Sequence, residues 1–139
     1  MSLFDAGTPL PTESLLMAGI ASNQKGYRLV WQINSLPGIH LQRIDDLFYR
    51  HKKGEDIYIQ CFEFTDEEYG YTYRVVGNRT SNNILIQEHK NTDYFLLVKG
   101  GLEENSWVKL LADMKKLTFA LAVYAIDFNK LKNKDVLYF

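Results

Sequence analysis

The chain has 139 residues, 46% of them hydrophobic and 24% charged, with a formal net charge of −1, which suits one domain that buries about 70% of the surface its unfolded chain exposes. Near-neutrality excludes the broad basic field that drives nucleic-acid or anionic-membrane binding, and no apolar run reaches the roughly 20 residues that span a bilayer. The single cysteine, Cys61, excludes an internal disulfide and a cysteine-rich metal site and suits a reducing compartment, so the expected address is cytoplasmic.

Residues 1–12, with Gly7, Thr8, Pro9 and Pro11, read as an irregular lead-in to one domain over 13–139. Met1 to Gly7 lack a basic region followed by an apolar stretch, so no export signal is expected there. The apolar run 15–20 is read as a strand, and Ser22 as the N-cap of a helix over 23–35. In that helix Tyr27, Val30, Trp31 and Asn34 recur at i, i+3, i+4 and i+7, and Pro37-Gly38 ends it. Residues 39–49 mix apolar positions with Arg43, Asp45 and Asp46, as in a strand with one face or one edge in water.

A turn at 52–54 leads into 57–64, where Ile57, Ile59 and Cys61 point one way and Tyr58, Phe62 and Phe64 the other. That strand is expected to be buried on both faces. Residues 65–68 read as a hairpin turn into 69–76, and 77–83 as a turn into a strand at 84–86, making a three-stranded meander. The sequon Asn78-Arg79-Thr80 falls in the second turn and is read as a chance match, not a glycan site. Tyr94 to Val98 again has apolar residues on both faces. Gly100-Gly101 opens a helix whose stripe is Trp107, Leu110, Leu111, Met114 and Leu117, with Glu103 and Glu104 near its start and Lys115 and Lys116 near its end, as the macrodipole favours. A strand over 119–126 and a short helical turn from Asp127 through Leu131 follow.

This order predicts an α+β domain, a mostly antiparallel sheet of five to six strands packed with two main helices, with the second helix making a crossover. Three candidate strands are apolar on both faces and only two helices are available as cover. Part of one face is therefore expected to meet a second copy in a homodimer, unless the helices take opposite faces or the lead-in and the C-terminal tail complete the cover.

The stretch Ile86-Gln87-Glu88-His89-Lys90-Asn91-Thr92-Asp93-Tyr94 reads Ile-x-Glu, three residues, x-Asp-Tyr, and runs into Phe95-Leu96-Leu97 before Lys99-Gly100. With Gly19-Ile20-Ala21-Ser22 and the pattern Tyr27-Arg28-Leu29-x-Trp31-x-x-Asn34, it resembles the IPExxxVDY family of small proteins from Bacteroidetes-type bacteria over about residues 19–126. Gln87 stands where the naming motif has proline and Thr92 where it has valine; Gln87 restores a backbone donor and frees φ. The resemblance carries no established activity. The gene neighbourhoods associated with the family imply, by association alone, an accessory place in RNA processing or fatty-acid synthesis.

The candidate ligand-binding residues are Glu88, Asp93, Arg28, Tyr69, Tyr71 and Tyr73. Glu88 and Asp93 flank a turn, where two carboxylates act as acid and base only if a cleft joins them. The stronger reading is architectural, with Asp93 accepting backbone N–H bonds and pairing with Arg28, and Asn34 either joining that network or capping a turn. Alternation puts Tyr69, Tyr71 and Tyr73 on one sheet face, with Arg74 on the other, as a platform for a base or flat ligand or as a face covered by a helix. His40, His51 and His89 lack metal-ligand spacing and are read as surface residues, Cys61 as a buried hydrophobe, and no nucleophile elbow or phosphate loop is present. No catalytic residue, metal or cofactor is assigned. The expected function is a non-catalytic interaction or adaptor module with a protein partner; the alternative is a small-molecule or RNA-binding domain.

Overall fold

The computed structural model describes residues 15–50, 54–80 and 82–139. The expected lead-in over 1–12, and the 52–54 turn apart from Gly54, lie outside the described residues. Among those described, β1 (Leu16–Ala21), β2 (Gln42–Arg50), β3 (Asp56–Asp66), β4 (Tyr71–Gly77), β5 (Tyr94–Lys99) and β6 (Ala122–Ile126) form one sheet in the order β2-β3-β4-β5-β1-β6. Every pairing is antiparallel. With α1 (Gly26–Ile33) and α2 (Glu104–Lys115) this is the α+β architecture expected. β5 and β6 both run antiparallel to β1 and so parallel to each other, which makes α2 a crossover.

The meander differs from the reading of the sequence in its last member. Residues 84–86 do not join the sheet: Ile84 makes an isolated bridge to Arg79, and Ile86 leads into a 3-10 turn at Gln87–His89. β5 takes the place beside β4 instead. Three apolar residues in a row are too few to settle strand against loop, and the tertiary position of β5 decides it.

Both sheet faces are apolar, and the chain covers both itself. On one face Ala18, Ile20, Phe62, Val75, Leu96 and Val98 pack with Leu29, Val30 and Ile33 of α1 and with Trp107, Leu111 and Met114 of α2. On the other, Met17, Ile59, Cys61, Phe95 and Leu97 pack beneath Leu85 and Ile86 and beneath Phe128, Leu131 and Leu137 of the C-terminal tail. The helices thus share one face and the tail serves as cover for the second, so a covered sheet face does not by itself call for a second copy. Asp127 starts the tail as expected, its carboxylate accepting from Asn129 N at 3.1 Å. Cys61 is fully buried in β3, and burial pushes its thiol up to about 11, so it is a neutral thiol at physiological pH.

The first helix is rotated relative to the stripe read from the sequence. Its buried face is Gly26, Leu29, Val30 and Ile33, while Tyr27 and Trp31 are 59% and 72% exposed. Both sets obey the same i, i+3, i+4, i+7 spacing, one residue out of phase. Glycine fits that face: a Cβ on Gly26 would displace the flexible Gln60 amide and sit 3.2 Å from the Phe62 ring, so its absence lets the helix lie close to β3. Aromatic rings on that side would hold it away. The helix also begins at Gly26 after Lys25, and Ser22 is released for another role.

Candidate functional site

The signature residues gather at the corner where β1 and β4 end and β5 begins. Asp93 Oδ2 accepts from Ser22 N at 2.8 Å, and its Oδ1 lies 3.3 Å from Arg79 Nε. Ser22, itself buried, donates from Oγ to Phe119 O at 2.6 Å and accepts there from Gln24 N at 3.2 Å. The Tyr94 hydroxyl donates to Gln24 O at 2.6 Å, and burial, followed by the nearby Asp93 charge, raises its pKa. One carboxylate and one phenol thereby tie the segment before α1 to the start of β5. Arg79 also donates to the Lys90 carbonyl.

Arg28 does not pair with Asp93. It lies on the outside of α1 with its guanidinium 5.3 Å from the centre of the Phe119 ring, and Arg79 supplies the expected cation. Glu88 turns away from Asp93 as well, its Oε1 accepting from Lys132 N of the tail at 3.2 Å. The two carboxylates are thus committed to different elements, and the arrangement supports their architectural reading. Asn34 brackets Leu41 with a pair of bonds, Nδ2 to Leu41 O at 2.9 Å and Leu41 N to Oδ1 at 2.8 Å, closing the turn after α1.

The residue that sequence reasoning missed is Asn78. It is fully buried, its Nδ2 donates to His89 O and Thr92 O at 2.9 and 2.8 Å, and its Oδ1 accepts from Ile86 N at 2.8 Å. A polar residue directly after a buried strand end is the only sequence signal for it. His89, read as a surface residue, is half-buried with its ring 6.3 Å from that of Phe95 and 6.2 Å from that of Tyr124.

Thr92 carries a further consequence. Its hydroxyl is buried and finds no hydrogen-bond partner among the described residues, and an unpaired buried hydroxyl costs about 1–3 kcal/mol. Thr92→Val keeps the shape and removes that group, so it is expected to stabilise the fold by about 1 kcal/mol. Urea melts followed by circular dichroism check this; a variant no more stable than the parent would mean that the hydroxyl is satisfied.

Beside the corner lies an open polar cleft of about 450 Å³, lined by Asp93, Arg79, Tyr94, Tyr58, Gln60 and Asp46 among others. Its groups can hydrogen-bond a small polar ligand. They do not form a nucleophile with an adjacent base, which covalent catalysis would require.

The tyrosine ladder is graded from covered to open. Tyr73 is buried and stacks on Phe64 with ring centres 6.0 Å apart, Tyr71 is half-buried, and Tyr69 is exposed and stacks on Tyr71 at 5.9 Å. Tyr69 stands in the turn before β4, and Arg74 is on the opposite face as expected, paired with Glu63. Against the ladder, α2 and residues 36–39 complete a groove of about 370 Å³ whose charged lining is Asp66, Asp113 and Lys109. Lys109 is held by Asp113 at 3.0 Å. This lining is more acidic than basic and opposes a phosphate backbone.

Comparison with family models, with curated proteins and with solved structures finds no match to this chain. Two further observations bear on the site. Among the described residues no three His, Cys, Asp or Glu side chains come together as a metal would need, and no helix is long and apolar enough to cross a membrane.

Proposed function

We propose that this domain is a non-catalytic interaction module that docks a protein partner on the outer face of α1. The observation that carries the reading is the exposure of Trp31 at 72%, with Tyr27 at 59% one turn earlier and Arg28 between them. Trp, Tyr and Arg are the residues that dominate binding energy at interfaces, and a ring left mostly in water contributes little to this fold. Arg28 is already oriented by its contact with Phe119, so little side-chain freedom is lost when it is engaged. The fitting partner is a protein with an apolar pocket for Trp31 and a carboxylate at its rim for Arg28.

The architectural roles of the signature support the same reading, because Asp93 and Tyr94, although they border the polar cleft, already bond to Ser22, Arg79 and Gln24. Membership of the IPExxxVDY family is likewise an inference, supported by the resemblance over about residues 19–126, and a cytoplasmic address is one supported by the single, buried cysteine. A second reading, a small-molecule site, is favoured by the groove between α2 and the partly open tyrosine ladder.

Affinity isolation from the source cells with parent, Trp31→Ala and Tyr69→Ala proteins separates the two. A hot-spot tryptophan costs about 2 kcal/mol or more on truncation, so Trp31→Ala is expected to lose its protein partner while Tyr69→Ala retains it. Retention by Trp31→Ala with a folded spectrum would remove the α1 face from consideration.

A further inference from the structure

The two edges of the sheet are not equivalent. The β2 edge carries Arg43, Asp45, Asp46 and Arg50 and has a register shift between Ile44 and Leu47. Charges and a bulge are the devices by which a sheet edge is kept from pairing with another chain. β6, at the other edge, is Ala122-Val123-Tyr124-Ala125-Ile126, with no charge, no proline and a continuous five-residue register to β1. Ala122, Tyr124 and Ala125 are exposed, and Leu121 just before them is 67% exposed. Alternate backbone groups of β6 point away from β1, and among the described residues no strand takes them up.

We infer that β6 is the interface of a homodimer, in which the β6 strands of two copies pair antiparallel across a two-fold axis and the sheet runs on from one copy into the next. Self-pairing explains why this edge in particular lacks charge. In a strand this short every residue lies close to the two-fold axis, so a charge would come near its own copy, and like charges across a strand pair are destabilising. A register centred on Tyr124 sets Val123 against Ala125 and Ala122 against Ile126, a larger side chain facing a small one in each, and brings the two Tyr124 rings together on the axis as an aromatic cross-strand pair. The net charge of −1 leaves little overall repulsion between copies. This interface uses an edge of the sheet, not the outer face of α1, and stands or falls apart from the docking reading.

Sedimentation equilibrium and hydrogen exchange test it together. At tens of micromolar the parent protein is expected to have twice the mass of one chain. Ala125→Lys places two ammonium groups beside the axis and is expected to weaken the dimer by at least about tenfold, whereas Phe48→Lys on the β2 edge leaves it intact. In the parent, the outward amides of β6 are expected to gain protection with rising concentration and those of β2 are not, a readout that needs no variant. A monomer throughout this range would overturn the inference, and so would a dimer whose β6 amides exchange at a rate independent of concentration.

Discussion

Asn78→Ala is expected to lower stability by about 3 kcal/mol, because it strips partners from two buried backbone groups and a third that is partly buried. The His89 and Thr92 carbonyls and the Ile86 N–H would be left without the bonds of 2.8 to 2.9 Å that Asn78 now makes. Each unpaired buried group costs about 1–3 kcal/mol. The main chain of Asn78 keeps its own bonds, to Asp93 O at 2.9 Å and from Leu85 N at 2.7 Å, so the effect reads the side chain alone. Asn78→Asp sharpens the test. It preserves volume and the acceptor for Ile86 N, yet it turns a carboxylate oxygen toward two carbonyls, and it is expected to destabilise at least as much as alanine. Urea unfolding followed by far-ultraviolet circular dichroism measures both. A loss below about 1 kcal/mol for alanine, the size of one ordinary hydrogen bond, would show that residues 78–93 are held by something other than this amide.

The same geometry accounts for the sequon in that segment. Asn78 has no exposed surface and both ends of its amide are engaged, so a glycan would require local unfolding. A short sequence match carries no information about burial, and burial decides the matter.

Fold class was legible in the sequence because most of its elements announce themselves locally. The α2 stripe of Trp107, Leu111 and Met114 has one helical phase, and its buried residues are the predicted ones. β3 and β5 carry apolar residues on both faces, and both faces are packed, although the β3 expectation fails at Tyr58, which is exposed near the open end of the strand. α1 shows where the pattern fails. Two stripes one residue apart both satisfy helical spacing, and the deciding fact, the close approach of Gly26 to β3, is a tertiary one. The expected Arg28–Asp93 pair fails for a tertiary reason too, because Arg28 lies over Phe119 and Asp93 meets Arg79. Arg79 could not have been found by the same means, because it lies 14 residues from Asp93 in sequence and meets it only through the fold of the 78–93 connection.

Removal of residues 128–139 is expected to destroy the fold, because the tail replaces the helix layer that the second sheet face lacks. Phe128, Leu131 and Leu137 are 4%, 7% and 1% exposed, and they lie over a cluster that includes Met17, Ile59, Phe95 and Leu97. Phe139 adds a ring set 4.4 Å from the Arg74 guanidinium and 4.8 Å from the Lys99 ammonium, each cation–π contact worth about 0.5–1 kcal/mol when exposed. Leu137→Ala alone is expected to cost about 2–5 kcal/mol, set against a total domain stability of about 5–15 kcal/mol. The shortened chain loses three such anchors and uncovers a broad apolar face, so it is expected to aggregate or to bind a hydrophobic dye strongly. Leu137→Ala keeps the tail in place and gives the graded measurement, a lowered urea midpoint with the slope unchanged. If the shortened chain stayed soluble with the parent's assembly state and midpoint, the second face would need no cover from the tail, and the 78–93 connection would have to supply it alone.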